Sequence, residues 1–243
     1  MRIEVLFPEI CNLYGELANV RYLMESLPDA EFIETPFIGQ PVFLTEDVDL
    51  VYMGTMTEQA QVLISEKLMP HRDVIRNRID DGMNFLITGN ALEVFGKRIL
   101  EDGKHICDGL GIFDFESRRD KRKRYNCIYV GEFDSGEGIM KVVGYKSLFG
   151  FAYGNAFKEH AFLNTTLGYG INKEISEEGI YVNNFIATYI TGPLLVLNPP
   201  LLEWIMREKL GVEDRKPAFY DDAMKAYEYR VEEYTRPGKG WEY

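Results

Sequence analysis

A chain of 243 residues, 46% hydrophobic and 27% charged, can bury a substantial core and is most simply read as one domain over 1–243. Its net charge of −12 argues against nonspecific nucleic-acid binding, because phosphate is repelled by most of such a surface. No apolar run is long enough to cross a bilayer as a helix, so no membrane role is expected.

The N-terminal stretch Arg2–Phe7 reads directly as a strand, without a signal-peptide pattern, and a cytoplasmic location is expected. A helix follows from about Glu16, with Leu17, Val20, Leu23, Met24 and Leu27 at helical spacing. Strands near Ala30–Thr35 and Asp49–Gly54 come next. A helical region from Glu58 to Asp80 is broken or kinked at Pro70. Asn84–Thr88 is a further strand. It runs through Gly89-Asn90-Ala91 into a short amphipathic helix ending near Gly96, which is the layout of a nucleophile elbow with a glycine at its apex. Strands alternating with helices at this spacing predict an α/β fold, a three-layer sandwich about a mainly parallel sheet.

Beyond residue 109 the rhythm changes. Gly111–Phe115, Cys127–Phe133, Ile139–Lys146, Phe162–Tyr169 and Gly179–Tyr189 read as strands joined by short turns, an antiparallel extension of the sheet. Asn198-Pro199-Pro200 starts a helix to about Lys209, and a last amphipathic helix spans about Ala218–Tyr234. The aromatic residues of that helix, among them Phe219, Tyr227 and Tyr229, are expected to pack into the core. Sites in open α/β sheets form at the carboxyl ends of strands, which places them at Pro8–Gly15, Gly54–Glu58 and Thr88–Ala91.

Several segments together carry a family likeness. Leu6-Phe7-Pro8-Glu9-Ile10-Cys11-Asn12-Leu13-Tyr14-Gly15 resembles the N-terminal signature of glutamine amidotransferase domains of the cobyric acid synthase type. Within that family the likeness is greatest to the glutaminase subunits of lipid II isoglutaminyl synthase. Asp49–Gln61, Leu86–Gly96, Glu178–Pro199 and Lys216–Asp222 match further family segments in the same order. The resemblance implies a class I glutamine amidotransferase fold, flavodoxin-like in its strand–helix alternation. It also implies a chemistry in which a thiolate attacks the glutamine carboxamide and a histidine moves protons, giving a glutamyl thioester and ammonia.

Position by position, the family's cysteine falls on Gly89 and its histidine on Thr191. The glycine loop that helps build the oxyanion hole keeps Gly54 but has Thr55 and Met56 where further glycines are usual. The elbow-helix glutamine falls on Glu93, and a Gly-Phe-Glu-Asn-His segment falls on Gly144–Leu148. Arg124 stands where the family places an arginine that holds the substrate carboxylate, a task suited to bidentate hydrogen bonding. Arg124, Asn12 and Asn90 are therefore the candidate ligand-binding residues, with glutamine or another small carboxylate as ligand. The resemblance further implies a Mur-ligase-like synthetase as partner.

The expectation is a catalytically degenerate amidotransferase-like chain with no metal and no cofactor. Two alternatives stand beside it: a glutaminase with a relocated nucleophile, and a stand-alone sensor of a small carboxylate. Cys11, Cys107 and Cys127 are odd in number and in no metal pattern, three free thiols of a reducing compartment. Cys11 follows the first strand, on the edge that carries Gly89, and Cys107 forms a His-x-Cys pair with His105. Either is a conceivable displaced nucleophile or a small buried hydrophobe. The run Arg118–Arg124 reads as a solvated loop or as a contact for an acidic partner. Asn12 reads as a helix cap or as a wall of the ligand site.

Overall fold

The computed structural model of the protein describes residues 1–238, 240 and 242. Its first half runs β1 (Arg2–Leu6), α1 (Leu17–Ser26), β2 (Glu31–Thr35), β3 (Leu50–Met53), α2 (Glu58–Leu68), α3 (Arg72–Asp80) and β4 (Phe85–Thr88). Next come β5 (Arg98–Glu101), β6 (Lys104–Asp108), β7 (Phe115–Arg119), β8 (Tyr125–Asp134), β9 (Ile139–Leu148), β10 (Gly150–Gly154) and α4 (Ala156–Glu159). The chain continues through β11 (Leu163–Leu167), β12 (Glu177–Glu178), β13 (Ile180–Val182), β14 (Phe185–Thr188), α5 (Leu194–Leu197), α6 (Pro199–Trp204) and α7 (Tyr220–Thr235).

The main sheet has the order β13-β14-β4-β3-β1-β2, parallel except for the antiparallel edge strand β13. Its inner strands β3, β4 and β14 are mainly apolar and buried on both sides, as a sheet covered on both faces requires. In β3, Leu50 and Tyr52 point into one core while Val51 and Met53 point into the other. The first core takes Val20 and Leu23 from α1 and Leu201 and Leu202 from α6. The second takes Ile64 and Leu68 from α2 and Ile75 and Ile79 from α3. Each fully buried Leu or Ile contributes about 1.5–3 kcal/mol by leaving water, so both layers are held mainly by these side chains.

Local chemistry explains the helix boundaries. Thr57 starts α2 by accepting the Ala60 amide on its hydroxyl oxygen at 3.1 Å, with Glu58 in the first turn. Pro70 sits in a tight turn over Met69–His71, and α3 resumes at Arg72, as the proline predicts.

The later strands depart from expectation in three ways. Those from β5 to β12 form two separate four-stranded sheets, β10-β7-β5-β6 and β12-β11-β8-β9, and do not extend the main sheet. The strand expected at Gly111–Phe115 begins where that segment ends, at Phe115. Gly179–Tyr189 is a hairpin turning at Asn183, whose φ is +52°, and its second arm β14 enters the main sheet parallel to β4. In α7 only Tyr227 is buried, on Val130 and Val143 of β8 and β9, while Phe219 and Tyr229 face solvent. One stripe suffices to cover this surface, with Tyr234 packed half-buried beside Tyr227, so Phe219 and Tyr229 stay outside.

Candidate functional site

Four parallel strands end at one edge: β1 at Leu6, β3 at Met53, β4 at Thr88 and β14 at Thr188. The loops that leave them are tied together by backbone and amide bonds. The Leu13 amide donates to the Thr55 carbonyl at 3.0 Å. The Asn90 side chain clasps Met56, donating to its carbonyl at 2.8 Å and accepting its amide at 3.0 Å. A cavity of about 60 Å³ lies among these loops, lined by Thr55, Gly89, Asn90 and Thr191, with Tyr14 and Arg124 at its exposed rim. Sites for drug-sized ligands measure roughly 300–1,000 Å³, so this one is small.

Gly89 keeps the left-handed backbone of an elbow apex, with φ +63°. A Cβ built there falls 1.8 Å from the Thr55 hydroxyl oxygen and 3.1 Å from the Thr191 methyl group. Thr55 therefore fills the space that an apical side chain would need. Its hydroxyl is buried and makes no hydrogen bond among the described residues. Thr191 is equally enclosed. Its hydroxyl donates to the Tyr145 carbonyl at 3.0 Å, and its backbone pairs with Tyr145 of β9 in both directions.

The turn after Gly89 is a 3-10 helix over Gly89–Phe95, buried on nearly every side and so not the amphipathic helix expected. It carries Glu93 into the interior, where four donor atoms meet its carboxylate. These are Gln61 Nε2 at 3.1 Å, Arg119 Nη2 at 2.9 Å and Nε at 3.3 Å, and the Tyr189 hydroxyl at 2.8 Å. Burial and the Glu93 charge hold the Tyr189 hydroxyl well above its usual range. Arg119 faces inward because Phe115, Ser117 and Arg119 alternate on the buried face of β7.

A second buried carboxylate lies below the same edge. Glu16 accepts from the Thr88 hydroxyl at 2.5 Å, from Asn19 at 3.3 Å and from the Gly192 amide at 3.1 Å. Burial pushes its carboxyl up, and the bonds from Thr88 and Gly192 oppose that shift. Glu16 thus pins the residue before the elbow and the residue after Thr191 to the start of α1.

Arg124 is exposed, with its guanidinium 4.7 Å from the Phe149 ring centre and Nη2 donating to the Tyr14 hydroxyl at 2.5 Å. Tyr14 adopts φ +60°, uncommon for a bulky side chain and found at strained functional positions. The rest of the basic run is largely answered within the chain. Arg118 pairs with Glu116 and lies over Tyr153, Lys121 pairs with Glu101, and Arg122 with Asp120.

The structure therefore brings together Gly89, Thr191, Asn90 and Arg124. Asn12 lies outside the cavity, exposed, accepting the Leu17 amide at 3.1 Å at the start of α1. Gly54 sits under the edge, where a Cβ would come within 2.8 Å of the Cys11 carbonyl oxygen. All three thiols are buried. Burial pushes the Cys11 thiol up, with Glu9 adding to it, and burial likewise raises Cys107 and Cys127. His105 is exposed and bonded to Asp108 at 2.8 Å, not to Cys107. Arg119 escaped the sequence reading as a site component, as did the parts that Thr55 plays at the apex and Glu16 beneath the edge. The inward alternation of β7 would have found Arg119 had that strand been recognised.

Comparison with known proteins adds to this geometry. Residues 2–198 match the model of the CobB/CobQ-like glutamine amidotransferase domain. A curated relative from Staphylococcus aureus (strain N315), lipid II isoglutaminyl synthase (glutamine-hydrolyzing) subunit GatD, is 27% identical over 81% of this chain and 79% of its own. The subunit of the same name from Streptococcus pneumoniae (strain R6) is 24% identical over 91% of this chain and 86% of its own. Among solved structures, PurLQS from Thermotoga maritima aligns with a TM-score of 0.52 at 11% identity, covering 95% of this chain and 98% of the matched one. A glutamine amidotransferase from the same organism aligns with a TM-score of 0.51 at 10% identity, covering 94% and 92%. At those identities the two structures speak for the fold alone. With the parallel sheet, the elbow at Gly89 and a family match over most of its length, the chain belongs to the CobB/CobQ-like glutamine amidotransferase domain family.

Proposed function

We propose that this chain keeps the amidotransferase scaffold without glutaminase chemistry and acts as a non-catalytic subunit of an amidating synthetase. The observation that carries this reading is the apex of the elbow. Gly89 offers no nucleophile, and the Thr55 hydroxyl occupies the place of its Cβ. Glutaminase chemistry needs a thiolate at that point and a base to receive and return its proton. Thr191 faces the apex with a methyl group and commits its hydroxyl to the Tyr145 carbonyl, so it supplies no base.

A displaced cysteine finds little support. The thiolate is the reactive form, and burial disfavours it at all three cysteines. The relatives named above are subunits of a glutamine-hydrolysing synthase. By analogy the partner is a Mur-ligase-like synthetase that amidates a carboxylate, here with free ammonia. Arg124 is the group we assign to a small carboxylate at the rim. The cavity behind it is too small for glutamine unless Tyr14 and its bond to Arg124 give way.

Ammonia release from glutamine tests this directly. The purified chain is assayed with and without the synthetase, beside a variant with all three cysteines changed to serine. No release is expected under any condition, with the synthetase still amidating from ammonium salts. Release that the triple variant abolishes would overturn the proposal and locate a working thiol.

A further inference from the structure

Away from the Gly89 cavity, three aromatic rings from three different elements converge on one point. Tyr125 comes from β8, Phe151 from β10 and Tyr169 from the loop after β11. Tyr125 and Tyr169 stand at 86° to one another with centres 6.1 Å apart, and Phe151 and Tyr169 at 73° and 5.5 Å. Tyr125 and Phe151 close the third side at 4.7 Å and 43°. Rings inclined in this way form walls, not a stack.

The enclosed point holds a cation. The Lys173 ammonium lies 4.4 Å from the Tyr125 centre, 4.7 Å from Tyr169 and 5.9 Å from Phe151. All three distances fall within the reach of a cation–π interaction. Lys173 is exposed and forms no ion pair with a carboxylate among the described residues. The turn that carries it is fixed. Asn172 donates to the Ala152 carbonyl at 2.9 Å and accepts the Glu174 amide at 2.8 Å. The Tyr169 ring is held in turn by its hydroxyl, which donates to Glu242.

We propose that Tyr125, Phe151 and Tyr169 form a binding site for a methylated ammonium group of a small molecule, which Lys173 occupies in its absence. A methylated ammonium suits the rings better than Lys173 does. It is less strongly hydrated than a primary ammonium, so it gives up less on entering, and its methyl groups pack on ring faces. The lysine stem is long, exposed and free to swing out. A groove of about 540 Å³ beside the cage, lined by Tyr169, Lys173 and Glu174, leaves room for the remainder of the ligand. The Glu174 carboxylate and the net charge of −12 both favour a cation there. None of the three rings lines the Gly89 cavity, so this site stands apart from the proposed function.

Choline chloride titrated into full-length wild-type and Lys173→Ala protein, followed by the tyrosine ring signals in NMR, tests the proposal. Saturable binding is expected in both. It should be about threefold to fivefold tighter in Lys173→Ala, the measure of one exposed cation–π contact no longer competed against. The neutral isostere 3,3-dimethylbutan-1-ol should bind far more weakly, and Tyr125→Leu and Tyr169→Leu, each in the Lys173→Ala background, should abolish choline binding. Either ring variant alone suffices should the other fail to fold. Absence of saturable binding to Lys173→Ala, equal binding of the neutral isostere, or binding that survives a folded ring variant would overturn the assignment.

Discussion

Gly89 and Thr55 form a reciprocal pair: one residue lacks a side chain and the other fills the vacancy. A side chain returned to position 89 therefore meets two penalties, a left-handed φ and a collision. Gly89→Cys alone is expected to cost about 2–5 kcal/mol, from backbone strain and overpacking together. Thr55→Gly in the same chain should recover much of that loss. Urea denaturation of the two single variants and the double variant measures the coupling, expected at about 1–3 kcal/mol in favour of the pair. Additive losses would mean that Thr55 does not block the apex. The glycine at the apex was readable in the sequence from the strand and turn around it. The role of Thr55 was not, because it depends on how the β3 and β4 loops abut.

At the scale of elements, the loops at the sheet edge are held by side chains that bond to backbone, and Asn12 is one of these. Its bond to the Leu17 amide secures the entry to α1 and directs the Leu13–Gly15 turn toward the cavity rim. Asn12→Ala is expected to cost about 0.5–1.5 kcal/mol in urea denaturation, and Asn12→Asp to recover most of it. Equal stability of the alanine variant would remove the capping role. The elements with apolar periodicity were legible: β1 to β4, α1, and the pair α2 and α3 divided at Pro70. Strands β5, β6 and β7 were not, since Arg98, Lys104, His105, Glu116 and Arg118 give them the composition of loops. They are strands because partners elsewhere in the chain satisfy their backbones, β7 pairing with both β5 and β10.

Across the whole molecule, Glu16 links α1, the end of β4 and the loop after Thr191 through one carboxyl group. Among the described residues it has no cationic partner there, and its near neighbours Thr88, Asn19, Tyr52 and the Gly192 amide are all uncharged. Its proton is held more tightly in the folded chain than in the unfolded one, so the unfolded chain ionises first as pH rises. The stability contributed by neutral Glu16 is complete below the unfolded value and declines as pH climbs toward the folded value. Glu16→Gln removes that decline. The urea midpoint of the variant relative to wild type should therefore rise as pH climbs above about 4.5, the ordinary value that burial raises in the folded chain, and parallel profiles would refute it. Asp114, Glu116 and Asp120 work in the opposite sense. Hydrogen bonds from Lys97, Arg98 and Arg122 lower them, so their contribution is lost as pH falls, equally in both proteins.

By itself, the sequence determined the alternating strand–helix architecture, the elbow with glycine at its apex, the break at Pro70 and the family likeness. All four are written in local periodicity, turn chemistry or collinear motifs, which neighbouring residues specify. Only the tertiary structure decided that strands β5 to β12 form sheets of their own, that β14 joins the main sheet beside β4, and that Thr55 fills the apex. It alone set Glu93 on Arg119 and Lys173 among three rings. These outcomes depend on contacts between residues far apart in the chain, where the geometry of closure, not local preference, selects the partner.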